Sequence, residues 1–94
     1  MVVYIAGKIT GDENYKSKFE KAQKKLEKRG FTVLNPAILP EGMKLNKYMP
    51  ICLAMIEQAD IVVFLKDWNR SKGALLEHNF AVYQNKAVEY MSDI

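Results

Sequence analysis

Apolar residues recur along the chain in two rhythms. Val2-Val3-Tyr4-Ile5-Ala6 and Ile61-Val62-Val63-Phe64-Leu65 are unbroken runs rich in β-branched and aromatic side chains. Short continuous runs of this kind, without polar alternation, suit strands buried on both faces of a parallel sheet. Phe31-Thr32-Val33-Leu34 predicts a further strand, closed by Asn35-Pro36, and Ala87-Val88-Glu89-Tyr90 a last short edge strand. Between these runs the spacing turns helical. Tyr15, Phe19, Ala22 and Leu26 line one side of an amphipathic helix that Gly30 stops. Lys47 to Gln58 reads as a second helix with Met49, Cys52, Leu53 and Ile56 facing inward, and about Ser71 to Gln84 as a third.

Strands that alternate with helices predict an α/β fold: a three-layer α/β/α unit on a small, about four-stranded parallel sheet, flavodoxin- or Rossmann-like. Residues 1–94 read as a single domain without repeat or linker. The segment 36–46, with Pro36, Pro40 and Gly42, reads as an irregular connection of the length often used for binding loops or lids.

Composition narrows the class. The chain is 49% apolar and 27% charged, an ordinary globular balance, and has no apolar run long enough for a bilayer. The lone Cys52 cannot form an internal disulfide, so the expected setting is reducing and cytoplasmic. The net charge of +3 arises mostly from Lys16, Lys18, Lys21, Lys24, Lys25, Lys28 and Arg29 on the first helix. No aromatic residue interleaves with them on the polar face, so they read as a solvated surface rather than a nucleic-acid stripe. His78 is the only histidine and no Cys/His cluster exists, so no metal or other cofactor is expected.

Open parallel sheets bind ligands beyond the carboxyl ends of their strands, where strand order reverses. That rule selects two loops, Gly7 to Asp12 and Lys66 to Arg70. In Ser71-Lys72-Gly73-Ala74-Leu75-Leu76-Glu77, Ser71 is a good N-cap and Gly73 leaves the main chain uncovered. The free N–H groups and positive dipole end there suit an anion, although capping and packing alone also account for both residues. Glu77 shares a helical arc with Gly73, Ala74, Ala81 and Gln84, between arcs of large apolar residues. A carboxylate among such small side chains is expected to be at least half-buried, and then needs a partner or a task. In the first loop, Gly7 gives the backbone room and Lys8 is placed to steer a phosphate. Tyr4 lies inside the first strand, where packing is the ordinary role. Cys52 reads as a core residue.

With these residues in view, the chain resembles the nucleoside 2-deoxyribosyltransferase-like superfamily, and within it a short bacterial and phage branch of unestablished function. The matching pieces are Tyr4-Ile5-Ala6-Gly7 with Ile9-Thr10-Gly11, Ala59-Asp60, and Trp68-Asn69-Arg70-Ser71-Lys72-Gly73-Ala74-Leu75-Leu76-Glu77 followed by Ala81. The resemblance implies that Glu77 is a nucleophile attacking the anomeric carbon of a 2′-deoxynucleoside. The base leaves, and a second base or water resolves the covalent deoxyribosyl-enzyme. It implies a phosphate contact for Ser71, as in members acting on 5′-monophosphates; Tyr4, Gly7, Lys8 and Gly73 are the further candidates to line the ligand. It also implies a homodimer, which the apolar residues on several sides of the third helix favour.

Two positions depart from the family's pattern. Cys52 stands where the superfamily has an Asp that helps with proton transfer, and Lys8 replaces a proline. Asp67, at the carboxyl end of the third strand, is the candidate for the missing acid, while Asp60 at the other end reads as structural. Two functions follow: N-glycosidase or deoxyribosyltransferase, or a non-catalytic nucleotide-binding or sensing module using the same pocket.

Overall fold

The computed structural model describes all 94 residues. Four strands, β1 (Val2–Ala6), β2 (Thr32–Leu34), β3 (Ile61–Leu65) and β4 (Ala87–Met91), alternate with three helices, α1 (Tyr15–Lys28), α2 (Leu45–Gln58) and α3 (Lys72–Tyr83). All pairings are parallel and the sheet order is β2-β1-β3-β4. The chain leaves β1 towards one edge and returns beyond it to build β3 and β4. Strand order therefore reverses between β1 and β3.

The two unbroken apolar runs are the two central strands. Their side chains alternate between separate cores: Val3, Ile5, Ile61, Val63 and Leu65 pack with Phe19, Ala22 and Leu26 of α1. Tyr4, Ala6, Val62 and Phe64 pack with Cys52 and Ile56 of α2 and Ala81 of α3. Burial on both faces removes any reason for polar alternation. Tyr4 is the exception: its hydroxyl lies in the second core and must find a partner there. At the amino end of the sheet, Asp60 Oδ2 accepts the Val2 N–H at 2.8 Å, a structural role in keeping with its reading from sequence.

Several boundaries differ from expectation. The connection 36–46 is more regular than its prolines suggest. Asn35 caps a 3-10 turn over Pro36–Ile38 by accepting the Ala37 N–H, and α2 begins at Leu45 rather than Lys47. Tyr48 ties the remaining loop to the helix: its hydroxyl donates to the Pro40 carbonyl and accepts the Met43 N–H. Pro50 sits inside α2 without the N–H that would bond to the turn before it.

The face that α3 turns to the sheet is the small-residue arc expected from the sequence, Gln84 apart. Ala74, Glu77 and Ala81 are buried, whereas Leu75, Leu76, Val82 and Tyr83 are exposed, and Gln84 lies outside the packed arc. Small residues let the helix settle on the sheet, with β4 the strand it approaches most, and the large ones stay outside. No helix is long and apolar enough to cross a membrane.

Gly7, where β1 ends, is set by packing. A Cβ there would lie 3.0 Å from Leu65 Cδ1 and 3.1 Å from Leu65 Cβ, and Leu65 is itself fully buried. Gly7→Ala is expected to cost about 1–3 kcal/mol by overpacking, measured as a lowered urea midpoint with an unchanged slope; an unchanged midpoint would show that the end of β1 can shift freely.

Candidate functional site

The reversal point between β1 and β3 opens onto the loops Gly7–Asp12 and Lys66–Arg70, and the second leads into α3. A 3-10 turn over Trp68–Arg70 ends at Ser71, whose backbone is extended. Ser71 Oγ accepts the Ala74 N–H at 3.1 Å, and its carbonyl accepts the Leu75 N–H at 2.9 Å. The Lys72 and Gly73 N–H groups precede the first helical bond and have no partner within the chain. Two bare donors at the positive end of a helix, beside a hydroxyl that still carries its proton, form a setting for an anion.

Gly73 differs from Gly7. A Cβ at Gly73 would meet Met49 Cε at 3.5 Å and Ser71 Oγ at 3.8 Å, ordinary contact distances. Packing within the chain does not demand glycine at 73. What the missing side chain leaves open is access to the main chain from outside.

One helical turn further in stands Glu77. It is 6% exposed, and its Oε2 accepts a hydrogen bond from the fully buried Tyr4 hydroxyl at 2.6 Å. Its Oε1 accepts no N–H or O–H donor, yet no side-chain oxygen or nitrogen in the chain is both sealed from solvent and unpartnered. Oε1 is therefore not fully sealed from solvent, and the Cys52 thiol is a second donor to the same carboxylate. Burial pushes the Glu77 carboxyl up to about 7, against the opposing pull of Tyr4 and Cys52. Burial, with the Glu77 charge beside it, drives the Tyr4 phenol well above its usual range and keeps it a donor. The Cys52 thiol, buried in the same cluster, is pushed up to about 11 by burial. At neutral pH it is a protonated thiol and a weak acid.

Of the expected site residues, the structure brings Tyr4 and Glu77 into contact and sets Ser71 and Gly73 one turn away. It does not bring Asp67 to Glu77. Both Asp67 oxygens are engaged elsewhere: Oδ1 accepts the Lys8 N–H at 3.1 Å and Oδ2 pairs with the Lys18 ammonium. Lys8 folds over Gly11, whose φ of 83° turns the loop back, and Lys18 also bonds the Lys8 carbonyl and Asp12. Lys18 thus departs from the solvated basic face expected of the first helix. Its side chain is 14% exposed, against 60% for Lys16 and 70% for Lys24. Nothing in the helical pattern marks it, because one of its acceptors, Asp67, comes from a loop 49 residues away.

Sequence reading also missed the packing behind Glu77. His78 stacks on Trp68 at 4.4 Å between ring centroids and meets Phe64 edge-on at 4.9 Å. Its Nε2 lies 2.7 Å from the Tyr90 hydroxyl. This aromatic group joins α3 to β3, β4 and the turn before Ser71, and so fixes the helix that carries Glu77. The density of aromatic residues between 64 and 90 was the available signal. A hollow of about 560 Å³ lies between α1 and residues 35–41, away from Glu77. No group of three or more His, Cys, Asp or Glu side chains is placed to hold a metal ion.

No curated protein sequence matches the chain. A solved structure described as a 2-desoxiribosyltransferase from Leishmania mexicana is similar, with a TM-score of 0.75 and 19% identity over 97% of this chain. The chain spans 63% of that protein's length. At this identity the likeness shows a shared fold, consistent with the α/β architecture described above. A family model matches residues 1–90, and the chain belongs to that family, described as domain of unknown function (DUF4406).

Proposed function

We propose that this protein is an N-glycosidase or deoxyribosyltransferase acting on a 2′-deoxynucleoside or its 5′-monophosphate, with Glu77 as nucleophile. The observation that carries the reading is the buried Glu77 carboxylate, bonded through Oε2 to Tyr4 and with no N–H or O–H donor on Oε1, one turn from unpaired helix N–H groups. The fold likeness to a deoxyribosyltransferase supports it. On this reading residues 1–94 form one domain of the superfamily's short bacterial and phage branch, in a cytoplasmic setting.

In the proposed reaction Glu77 Oε1 bonds to C1′ of the sugar while the N-glycosidic bond breaks. The bonding pair leaves on the base nitrogen, which takes a proton from solvent. The product is a deoxyribosyl ester of Glu77. Water or a second base then attacks C1′, and the Glu77 carboxylate leaves. Tyr4 holds Oε2 and so aims Oε1. Ser71 and the Lys72 and Gly73 N–H groups hold a 5′-phosphate, with Lys8 on the opposite rim. The exposed side chains Leu75, Leu76, Val82 and Tyr83 suit contact with a second copy of the chain in a homodimer.

One observation favours a second reading, a nucleotide sensor without turnover. No acid stands ready beside Glu77, because Cys52 is a weak one and both Asp67 oxygens are bound. In that case Glu77 hydrogen-bonds the sugar and never attacks it.

Base release from a deoxynucleotide panel separates the two. Glu77→Ala is expected to lower it on the order of a thousand-fold or more, and wild type is expected to show a mass adduct on Glu77 with a 2-fluoro substrate. Tight binding with no release and no adduct would establish the sensor. Release is expected to rise with pH through about 7 and then level, because the ionised carboxylate attacks. Stability runs the other way. The folded value lies above the ordinary 4.5, so between 4.5 and about 7 the folded state holds a proton that the unfolded chain has lost. Wild type should therefore lose on the order of 3 kcal/mol relative to Glu77→Gln as pH rises across that window, read by urea titration at several pH values. A constant difference would place Glu77 in a more hydrated setting. Gly73→Ala is expected to leave stability within about 0.5 kcal/mol yet weaken 5′-monophosphate binding about ten-fold, by calorimetry.

A further inference from the structure

Lys18 is the one lysine of α1 whose ammonium is drawn inward, and its three acceptors come from two segments far apart in sequence. It donates to the Lys8 carbonyl at 2.8 Å and pairs with the carboxylates of Asp12 and Asp67. Asp12 also receives the Asn14 N–H at 2.9 Å, and its hydrogen bond to Lys18 holds its carboxyl below the usual range. Asp67 closes the circuit by accepting the Lys8 N–H through its other oxygen. Lys18 pairs with both carboxylates, and the folded-over Lys8 adds a further positive charge near Asp12.

Its position gives this cluster more than a local role. Asp67 is the residue from which the turn to Ser71 starts: its carbonyl accepts the Arg70 N–H, and the next carbonyl, of Trp68, accepts the Ser71 N–H. Fixing Asp67 therefore fixes the direction in which the turn delivers Ser71 and the unpaired N–H groups of α3. The same ammonium holds the opposite rim, residues 8 to 12. One half-buried cation thus sets the spacing of both sides of the crevice at the sheet's reversal point. Such a contact can be strong because it is only partly solvated and several hydrogen bonds satisfy it.

We propose that Lys18 is a positioning residue: through Asp67 and Asp12 it holds the two loops in register, so that Ser71 and the Lys72 and Gly73 N–H groups meet the phosphate of a bound nucleotide. The ligand half of this statement rests on the proposed function; the structural half does not. Lys18 touches no substrate, and its effect is transmitted through the turn 67–71.

Lys18→Met, which keeps the aliphatic stem, and Lys18→Arg, which keeps the charge, test it by hydrogen–deuterium exchange and by binding. In Lys18→Met, exchange is expected to rise about ten-fold at the bonded amides of residues 8–12 (Lys8 and Asp12) and together with them at Arg70 and Ser71, while β3 and the second half of α3 stay protected. Lys18→Arg is expected to restore most of that protection. A rise confined to 8–12, or one spread evenly over the chain, would overturn the proposal. In binding, Lys18→Met should weaken a 2′-deoxynucleoside 5′-monophosphate about ten-fold and leave the matching nucleoside within about two-fold. Equal weakening of both would mean a general loss of structure and would also overturn it. If wild type binds neither compound, the proposed function fails and with it the phosphate role, while the exchange pattern still decides whether Lys18 controls the turn.

Discussion

A single hydrogen bond, from the Tyr4 hydroxyl to Glu77 Oε2, joins the centre of the sheet to the helix that borders the crevice. Each group would be costly alone. A buried phenol needs an acceptor, and a carboxylate at this depth loses most of its hydration. Paired, they satisfy one another through a short contact while leaving the second carboxylate oxygen without an N–H or O–H donor. The desolvation that remains brings Glu77 close to neutrality in its protonation. Chemistry at this position therefore stems from burial that Tyr4 and Cys52 compensate only in part.

The helix geometry follows from that demand. A carboxylate can reach the hydroxyl of a central-strand tyrosine only if α3 lies close to the sheet. Ala74 and Ala81, one turn before and after Glu77, permit the approach, and Gly73 continues the same small face to the helix end. The large apolar side chains of α3 turn outward as a result. Loss of packing on the inner face is offset beside Glu77, where His78 joins Phe64, Trp68 and Tyr90 in an aromatic group that also grips the edge strand.

Charge is handled differently at the mouth. The carboxyl ends of β1 and β3 bring two aspartates, the Lys8 backbone and the Lys18 ammonium together in one mutually bonded set. Such a set positions loops without presenting a large net field, so that attraction for an anion falls to the helix end and its bare N–H groups. The two glycines beside the crevice divide along the same line. Gly7 answers to Leu65 within the fold, whereas Gly73 has room inside the chain for a side chain.

Much of this was legible in one dimension. The unbroken runs at 2–6 and 61–65 determined a sheet with two buried central strands, and the helical spacings between them determined its layers. Ser71 with Gly73 marked the helix start, and Glu77 among small residues marked the carboxylate, because propensity, capping and amphipathic period are local properties. What the sequence alone did not determine is every feature that joins residues tens of positions apart. The partner of Glu77 is 73 residues away, and Asp67 meets Lys18 across 49. A lysine in a basic helix and an aspartate after a strand carry no mark of each other. Only the sheet order β2-β1-β3-β4, which sets the ends of β1 and β3 side by side, decided that the two would pair and that Asp67 would be spent on the loop instead of on Glu77.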